Sequence, residues 1–115
     1  MGDYEMKIAK FVSRHAPTPE QIRTLAAVGY SILHVGDVDA FDTVAVATML
    51  RDGDFDALIC VHPVIALAAI AQGIDVVVFK NENRAAVGHP VEFRTAGCLI
   101  MHPSGASEYV KCPDM

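Results

Sequence analysis

Short apolar runs alternate with helical patterns along the first 79 residues of the chain. The apolar runs predict four strands, at residues 7–12, 31–35, 57–61 and 75–79. Three segments between them have the apolar spacing of helices, at residues 19–28, 43–51 and 63–71. Strands that are buried on both faces read as continuous apolar runs, and their alternation with helices indicates βαβ units and a parallel sheet.

The predicted helices begin at recognisable capping residues. Thr18 precedes Pro19, and Gln21 stands at the position that completes a capping box. Asp42 is placed to cap the second helix. His62 precedes Pro63 at the start of the third helix, where it serves either as the capping residue or as a ligand donor. The sequence leaves these two roles of His62 open.

The alternation of apolar runs and helical patterns ends after Phe79. Residues 80–90 are polar and predict a loop, and residues 91–94 and 98–101 have the pattern of a hairpin across 95–97. The tail from Ser104 is expected to be loosely held. We therefore predict one α/β domain over residues 1–115. It is a three-layer Rossmann-like arrangement of four parallel strands alternating with helices, followed by a C-terminal β-hairpin.

The composition of the chain limits which partners and which cellular compartment we expect. The net charge of −5 argues against a duplex-DNA surface, although it permits a small anionic ligand. The most apolar stretch, residues 57–79, is interrupted by polar residues and is too broken for a membrane span. Three cysteines without C-x-x-C spacing, and no apparent signal peptide, predict a cytoplasmic protein.

Polar residues follow the end of each predicted strand. They are Ser13, Arg14 and His15, then Asp37 and Asp39, His62, the group Asn81, Asn83 and Arg84, and finally His102 and Ser104. Ligands of open α/β sheets bind outside the carboxyl ends of the strands, where the strand order reverses. The first strand borders either the third strand, which places Arg14 and His15 near His62, or the fourth, which places them near Asn83 and Arg84.

The residue types at these positions favour an anionic ligand. Arg14 and Arg84 present guanidinium groups that match phosphate oxygens, and Asn81 and Asn83 offer amides to a base or sugar edge. His15 and His62 are candidates for orienting the ligand or for general acid–base catalysis. Asp37 and Asp39 complete the predicted binding set.

Other common chemistries lack their sequence signals. The chain contains neither G-x-G-x-x-G after the first strand nor G-x-x-x-x-G-K-[ST], and His62 stands where a receiver domain needs an aspartate. The five histidines and three cysteines lack the spacing of a strong metal site. We therefore predict no metal and no cofactor, although the sequence leaves open whether Asp37 and Asp39 hold a metal.

Two resemblances sharpen these expectations. The segment from Phe11 to His15 resembles the Arg-His motif of the histidine phosphatases, and the segment from Ile59 to Ile65 resembles the strand that carries their second histidine. This resemblance implies that His15 is a phosphorylated nucleophile and that Arg14 and His62 bind phosphate.

The pattern of the whole chain is similar to that of small CRISPR-associated Rossmann-like sensor and ring-nuclease proteins. The residues that carry this resemblance are Ser13-Arg14-His15 and the helix start from Thr18 to Gln21. It implies a homodimer with a cyclic oligoadenylate in the crevice between subunits.

The leading prediction is a domain that binds a phosphate-bearing ligand, such as a nucleotide or oligonucleotide, at the carboxyl ends of its strands. One alternative is a phosphohistidine-type phosphatase or phosphotransfer enzyme that uses His15. Another is a non-catalytic dimerisation protein, with contacts through residues 44–50 or 64–70. The sequence leaves open whether the protein is an enzyme.

Overall fold

The computed structural model describes residues 6–53, 55–60, 62–84 and 92–113. Within these ranges the elements follow one another as β1 (Lys7–Phe11), α1 (Pro19–Ala26), β2 (Tyr30–His34), α2 (Thr43–Arg51), β3 (Ala57–Ile59), α3 (Pro63–Ala71), β4 (Asp75–Arg84), β5 (Glu92–Met101) and β6 (Ser107–Lys111). The strands form one mixed sheet in the order β2-β1-β3-β4-β5-β6. The predicted α/β class is thereby confirmed.

The first strand lies inside the sheet, between β2 and β3. It pairs in parallel with both neighbours, and β3 pairs in parallel with β4. Of the two strand orders left open by the sequence, this is the one in which the first strand borders the third. From β1 the chain first forms β2 on one side of it and then β3 on its other side, so the strand order reverses between β1 and β3. We call the end of the sheet where β1–β4 begin its amino end, and the other its carboxyl end.

Buried residues form one apolar cluster on each face of the sheet. The cluster on the α1 face includes Leu25 from the helix and Ala9, Ile59, Val77, Cys98 and Ile100 from the strands. The cluster on the other face includes Val46, Met49, Leu50, Ile65 and Ala69 from α2 and α3, packed on Leu58 and Val76. Alternate residues of each strand therefore point to opposite faces, as a pleated strand requires.

The predicted helix starts are confirmed. Thr18 and Gln21 form a reciprocal capping box at α1, and Asp42 accepts a hydrogen bond from the Ala45 backbone N–H at α2. His62 caps α3, because its Nδ1 accepts from the backbone N–H of Val64 at 3.3 Å. The capping role of His62, left open by the sequence, is the one that the structure shows.

The predicted hairpin across residues 95–97 is wrong. β5 runs without a turn from Glu92 to Met101 and pairs antiparallel with β4, which continues to Arg84 instead of ending at Phe79. Residues 80–84 are therefore strand and not loop. Gly97 suggested a turn, but a glycine is needed here for another reason, because β6 approaches the backbone of β5 closely at this residue. A Cβ at this position would overlap the Val110 carbonyl oxygen and the Tyr109 ring.

The segment after Ser104 is also ordered differently from the prediction. β6 pairs antiparallel with β5, so the chain is tied into the sheet as far as Lys111. Because β5 is antiparallel, its last residues lie at the amino end of the sheet. His102 is there, and its Nδ1 is 3.0 Å from Asp75 Oδ1 at the start of β4. His102 and Ser104 therefore lie at the opposite end of the sheet from the predicted crevice.

A buried lysine closes the carboxyl end of α2. The side chain of Lys10 is 7% exposed, and its ammonium group donates to the carbonyl oxygens of Met49 at 2.9 Å and Asp52 at 2.7 Å. The ammonium group also lies 4.6 Å from the centroid of the Phe55 ring. A cation is favourable at this position because the last carbonyls of a helix are unpaired and carry partial negative charge.

Within the described ranges, none of the helices has the length and apolar character needed to span a membrane.

Candidate functional site

A hollow of about 220 Å³ opens at the carboxyl end of the sheet, where β1 and β3 lie side by side. Its floor consists of Phe11 from β1, Ile59 from β3 and Phe79 from β4. Phe11 is paired with Ile59 in the sheet register, and the centroids of the Phe11 and Phe79 rings are 6.1 Å apart. The hollow therefore lies where the strand order reverses, and it has an aromatic and aliphatic floor.

The rim of the hollow is polar and comes from three segments. Ser13 and His15 belong to the loop that leaves β1, Thr18 and Gln21 to the start of α1, and Asn81 to β4. We refer to these five residues as the rim. Four of these side chains are amides or hydroxyls and the fifth is the imidazole of His15, so the rim offers mainly neutral hydrogen-bonding groups.

A β-bulge lies beside Asn81. Lys80 pairs with Gly97 and Asn81 pairs with Thr95, so Ala96 is an extra residue in β5. The carbonyl of Ala96 accepts from the Cys112 backbone N–H at 2.8 Å, which gives it a partner. The buried Thr95 hydroxyl donates to Asn81 Oδ1 at 2.9 Å. Bulges of this kind redirect side chains next to sites.

His34 on β2 fixes the loop that carries Ser13 and His15. Its Nε2 is 2.6 Å from the carbonyl oxygen of Ser13. A carbonyl oxygen only accepts, so Nε2 carries the hydrogen in this contact. The hydroxyl oxygen of Ser13 accepts from the His15 backbone N–H at 3.1 Å. These two bonds hold the loop in place at the rim.

The structure brings together only part of the predicted site. Ser13, His15 and Asn81 line the hollow. Arg14 instead points away, with its Nε 3.9 Å from Asp37 Oδ2 and the two side chains 82% and 60% exposed. An exposed pair of this length contributes little to stability.

The other predicted residues have different positions. Asp39 accepts from the Phe41 backbone N–H at 2.9 Å in the loop before α2. His62 caps α3 and is not among the residues that line the hollow. Asn83 and Arg84 lie in β4, and their side chains fall outside the described part of the structure, as does the whole of His89.

Sequence reasoning missed Phe11, Phe79, Thr18 and Gln21 as residues of the hollow. Phe11 and Phe79 were interpreted as ordinary core positions. Their aromatic rings near the ends of two predicted strands were the one signal that could have indicated a role in the hollow. Thr18 and Gln21 were assigned to helix capping, which they perform. Their place at the rim of the hollow had no separate signal in the sequence.

Cys60 also lines the hollow and is buried. Burial raises the pKa of its thiol, the hydrogen bond with the His62 backbone lowers it, and Asp37 raises it. The His62 backbone N–H lies 3.3 Å from the sulfur. The net effect is an elevated pKa, so the group is a neutral thiol near pH 7. It contributes apolar surface to the hollow and not a nucleophile.

Metal-ligating side chains do not cluster in the part of the chain that the structure describes, where no three His, Cys, Asp or Glu residues are grouped.

Large apolar side chains are exposed at the starts of α2 and α3. They are Phe41, Val44, Val64 and Leu67. The Phe41 ring is 83% exposed and meets the His62 ring edge-on, with centroids 6.1 Å apart. Self-association through these helices stays a prediction.

Comparison with known proteins gives no match, whether to a protein family, to a curated protein or to a solved structure.

Proposed function

We propose that the protein binds a small phosphate-bearing ligand of the nucleotide class in the hollow at the carboxyl end of its sheet. The observation that carries this proposal is the hollow itself, with an apolar floor and a polar rim at the reversal of strand order. A Rossmann-like layering forms part of the proposal. It is supported by the parallel pairing of β1–β4 and by the two apolar clusters on opposite faces of the sheet.

The size and lining of the hollow suit one flat ring. At about 220 Å³ it is smaller than the roughly 300–1,000 Å³ of pockets that enclose a drug-sized ligand. One planar base would rest on Phe11 and Phe79, and the remainder of the ligand would extend across the rim. Stacking of a base on an aromatic side chain contributes about 1–3 kcal/mol.

The phosphate would lie outside the hollow, near His15 and Arg14. His15 is exposed at the rim, and Arg14 is held only by its long contact with Asp37. Because an exposed ion pair is worth at most about 1 kcal/mol, a phosphate would readily replace Asp37 as the partner of Arg14. The proposal thus retains the predicted roles of Arg14 and His15 as ligand-binding residues.

The position of His62 favours binding over the phosphohistidine alternative. That alternative requires His62 and Arg14 to hold phosphate beside His15. His62 instead caps α3 and is not among the residues that line the hollow with His15. Nucleotide binding does not require His62 and Arg14 to meet at His15, so it is the function that the geometry supports better.

The proposal is tested by comparing the wild type with a variant in which a large side chain fills the hollow. Thermal unfolding of the wild type is measured with nucleoside monophosphates, ribose 5-phosphate and inorganic phosphate. A ligand at a hundred times its Kd stabilises the folded state by about 2.7 kcal/mol. Ala16 is exposed and lines the hollow, so Ala16→Phe should abolish the stabilisation by nucleotides.

The matched control is Ala26→Phe, an equal change at an exposed position of α1 that does not line the hollow. This variant should respond to nucleotides like the wild type. Failure of every nucleotide to stabilise the wild type, or an unchanged response in Ala16→Phe, would overturn the proposal.

A further inference from the structure

The loop of residues 13–17 carries two of the rim residues, Ser13 and His15. The sheet holds the chain as far as Val12, whose backbone N–H donates to a carbonyl oxygen of β3 at 3.2 Å. The capping box of α1 holds the chain again from Thr18. The positions of Ser13 and His15 at the hollow therefore depend on what holds the loop between these two points.

One hydrogen bond ties the backbone of this loop to another element. It joins His34 at the end of β2 to Ser13, with 2.6 Å between Nε2 and the carbonyl oxygen. Among the described residues, no second hydrogen bond joins the backbone of residues 13–17 to a different element. The His15 N–H donates within the loop, to Ser13 Oγ at 3.1 Å. Ser13 therefore accepts both bonds and links His15 to the anchor at His34.

The ring of His34 contacts the floor of the hollow as well as the loop. It packs against the ring of Phe11 in a T-shaped arrangement, with centroids 5.9 Å apart and an angle of 64° between the planes. Phe11 lies opposite His34 in the register of β1 and β2, and it lines the hollow. His34 itself is not among the lining residues. It therefore supports the site from the neighbouring strand.

We propose that His34 is a positioning residue for ligand binding, which holds Ser13 and His15 at the hollow before a ligand arrives. This inference rests on the proposed function and extends it to a residue outside the hollow. A ligand that binds an ordered loop avoids the entropic cost of ordering it. Because the bond of His34 lies at the exposed surface, it contributes more to ligand affinity than to the stability of the whole fold.

Two substitutions at His34 separate the hydrogen bond from the rest of the side chain. Calorimetric titration with adenosine and uridine monophosphates gives Kd for the wild type and both variants. His34→Leu removes the donor, and Kd should rise about tenfold, because binding then has to order about one residue of backbone. His34→Gln keeps an N–H donor at a similar distance from the backbone, so its Kd should stay within about threefold of the wild type.

The order of the loop can be measured without any ligand. Relaxation of the ¹⁵N-labelled protein gives order parameters for the backbone amides of Arg14 and His15. They should be near 0.85, the usual value of rigid backbone, in the wild type and in His34→Gln, and below about 0.6 in His34→Leu.

His102→Leu is the matched control at the amino end of the sheet. It removes a histidine whose Nδ1 is 3.0 Å from Asp75, in a half-buried pair remote from the hollow. It should lower the Tm at least as much as His34→Leu and leave Kd unchanged. A loss of affinity that merely follows a loss of stability would appear in both variants.

The outcomes separate this inference from the proposed function. An unchanged Kd or rigid loop amides in His34→Leu would overturn the inference and leave nucleotide binding intact. Equal losses of affinity in His34→Leu and His34→Gln, or in His34→Leu and His102→Leu, would overturn it as well. The absence of binding by nucleoside monophosphates to the wild type would overturn both.

Discussion

The two ends of the sheet use their polar groups differently. At the amino end they are paired within the protein. Lys10 donates to the last carbonyls of α2, Asp56 accepts from the Ile8 N–H at 2.8 Å, and His102 contacts Asp75. At the carboxyl end several polar groups are paired as well, but the rim side chains surround an open hollow. The two ends therefore differ in whether their polar groups lie against packed protein or beside a hollow.

This difference shows why the number of polar residues alone does not locate a site. Buried polar groups normally find partners inside the protein, and such groups are no longer available for recognition. Both ends contain aspartate, histidine and hydroxyl groups. What distinguishes the ends is whether these groups lie in packed protein or beside an open hollow, and their contribution to stability can be tested at each end separately.

The largest expected effect is at Lys10. Lys10→Met preserves much of the aliphatic chain but leaves the carbonyls of Met49 and Asp52 without their cationic donor. Losing two charge-assisted hydrogen bonds should lower the free energy of unfolding by about 3 kcal/mol. Urea denaturation followed by circular dichroism measures this change.

Lys7→Met is the matched control on the same strand. Lys7 is exposed, and its ammonium group lies 5.8 Å from the Tyr30 ring centroid. The control should change the unfolding free energy by no more than about 0.5 kcal/mol. Similar losses in the two variants would mean that the buried ammonium group does not stabilise the end of α2.

A smaller effect is expected at Asp75. Asp75→Asn removes the charge that faces His102, and the two side chains are half-buried, so the cost should be about 1 kcal/mol. Asp37→Asn breaks the exposed pair with Arg14 at the carboxyl end and should cost less than about 0.5 kcal/mol. Equal losses in urea denaturation would remove the distinction between the two ends.

The smallest effect at neutral pH is expected for Tyr30→Phe. Burial raises the pKa of Tyr30 above its usual value of 10.0, and Asp75, Asp56 and Glu108 raise it further. Above pH 10 the unfolded chain loses this proton while the folded protein keeps it. The phenol therefore makes stability fall as the pH rises through this range.

Tyr30→Phe should flatten the alkaline loss of stability, measured as Tm between pH 9 and 11, and should change stability at pH 7 by no more than about 0.5 kcal/mol. Tyr109→Phe, an exposed position on β6, serves as the control. An alkaline slope that is the same in wild type and Tyr30→Phe would contradict the assignment.

The parallel part of the fold was predictable because its signals are local. Apolar runs and capping residues such as Thr18 and Asp42 locate the elements without reference to distant contacts. The antiparallel part was not predictable from local signals. A glycine such as Gly97 is expected in a turn, but it is also required in a strand where a neighbouring side chain, here Tyr109, lies directly against the backbone. The direction of β5 depends on long-range pairing, and this error placed His102 at the wrong end.

Backbone position alone decides where part of the predicted set of residues lies. Ser13, His15 and Asn81 reach the hollow because they follow or extend strands that end there. The direction of the long Arg14 side chain depends on a contact with Asp37 that local sequence does not specify. Gln21 reaches the rim through the packing of α1 on the sheet, which its role in the capping box does not specify.

The extra residue Ala96 is absorbed by the bulge, so the register of β5 with β4 continues on both sides of it. Lys80 pairs with Gly97 and Asn81 pairs with Thr95, with Ala96 left over between them. A chain without Ala96 would place Thr95 directly before Gly97 and still opposite Asn81. Deletion of this one residue should therefore restore a regular ladder and keep the pairing of residues 92–95. A single deletion is better tolerated at the bulge than in a regular part of β5, where it would exchange the faces of the residues beyond it.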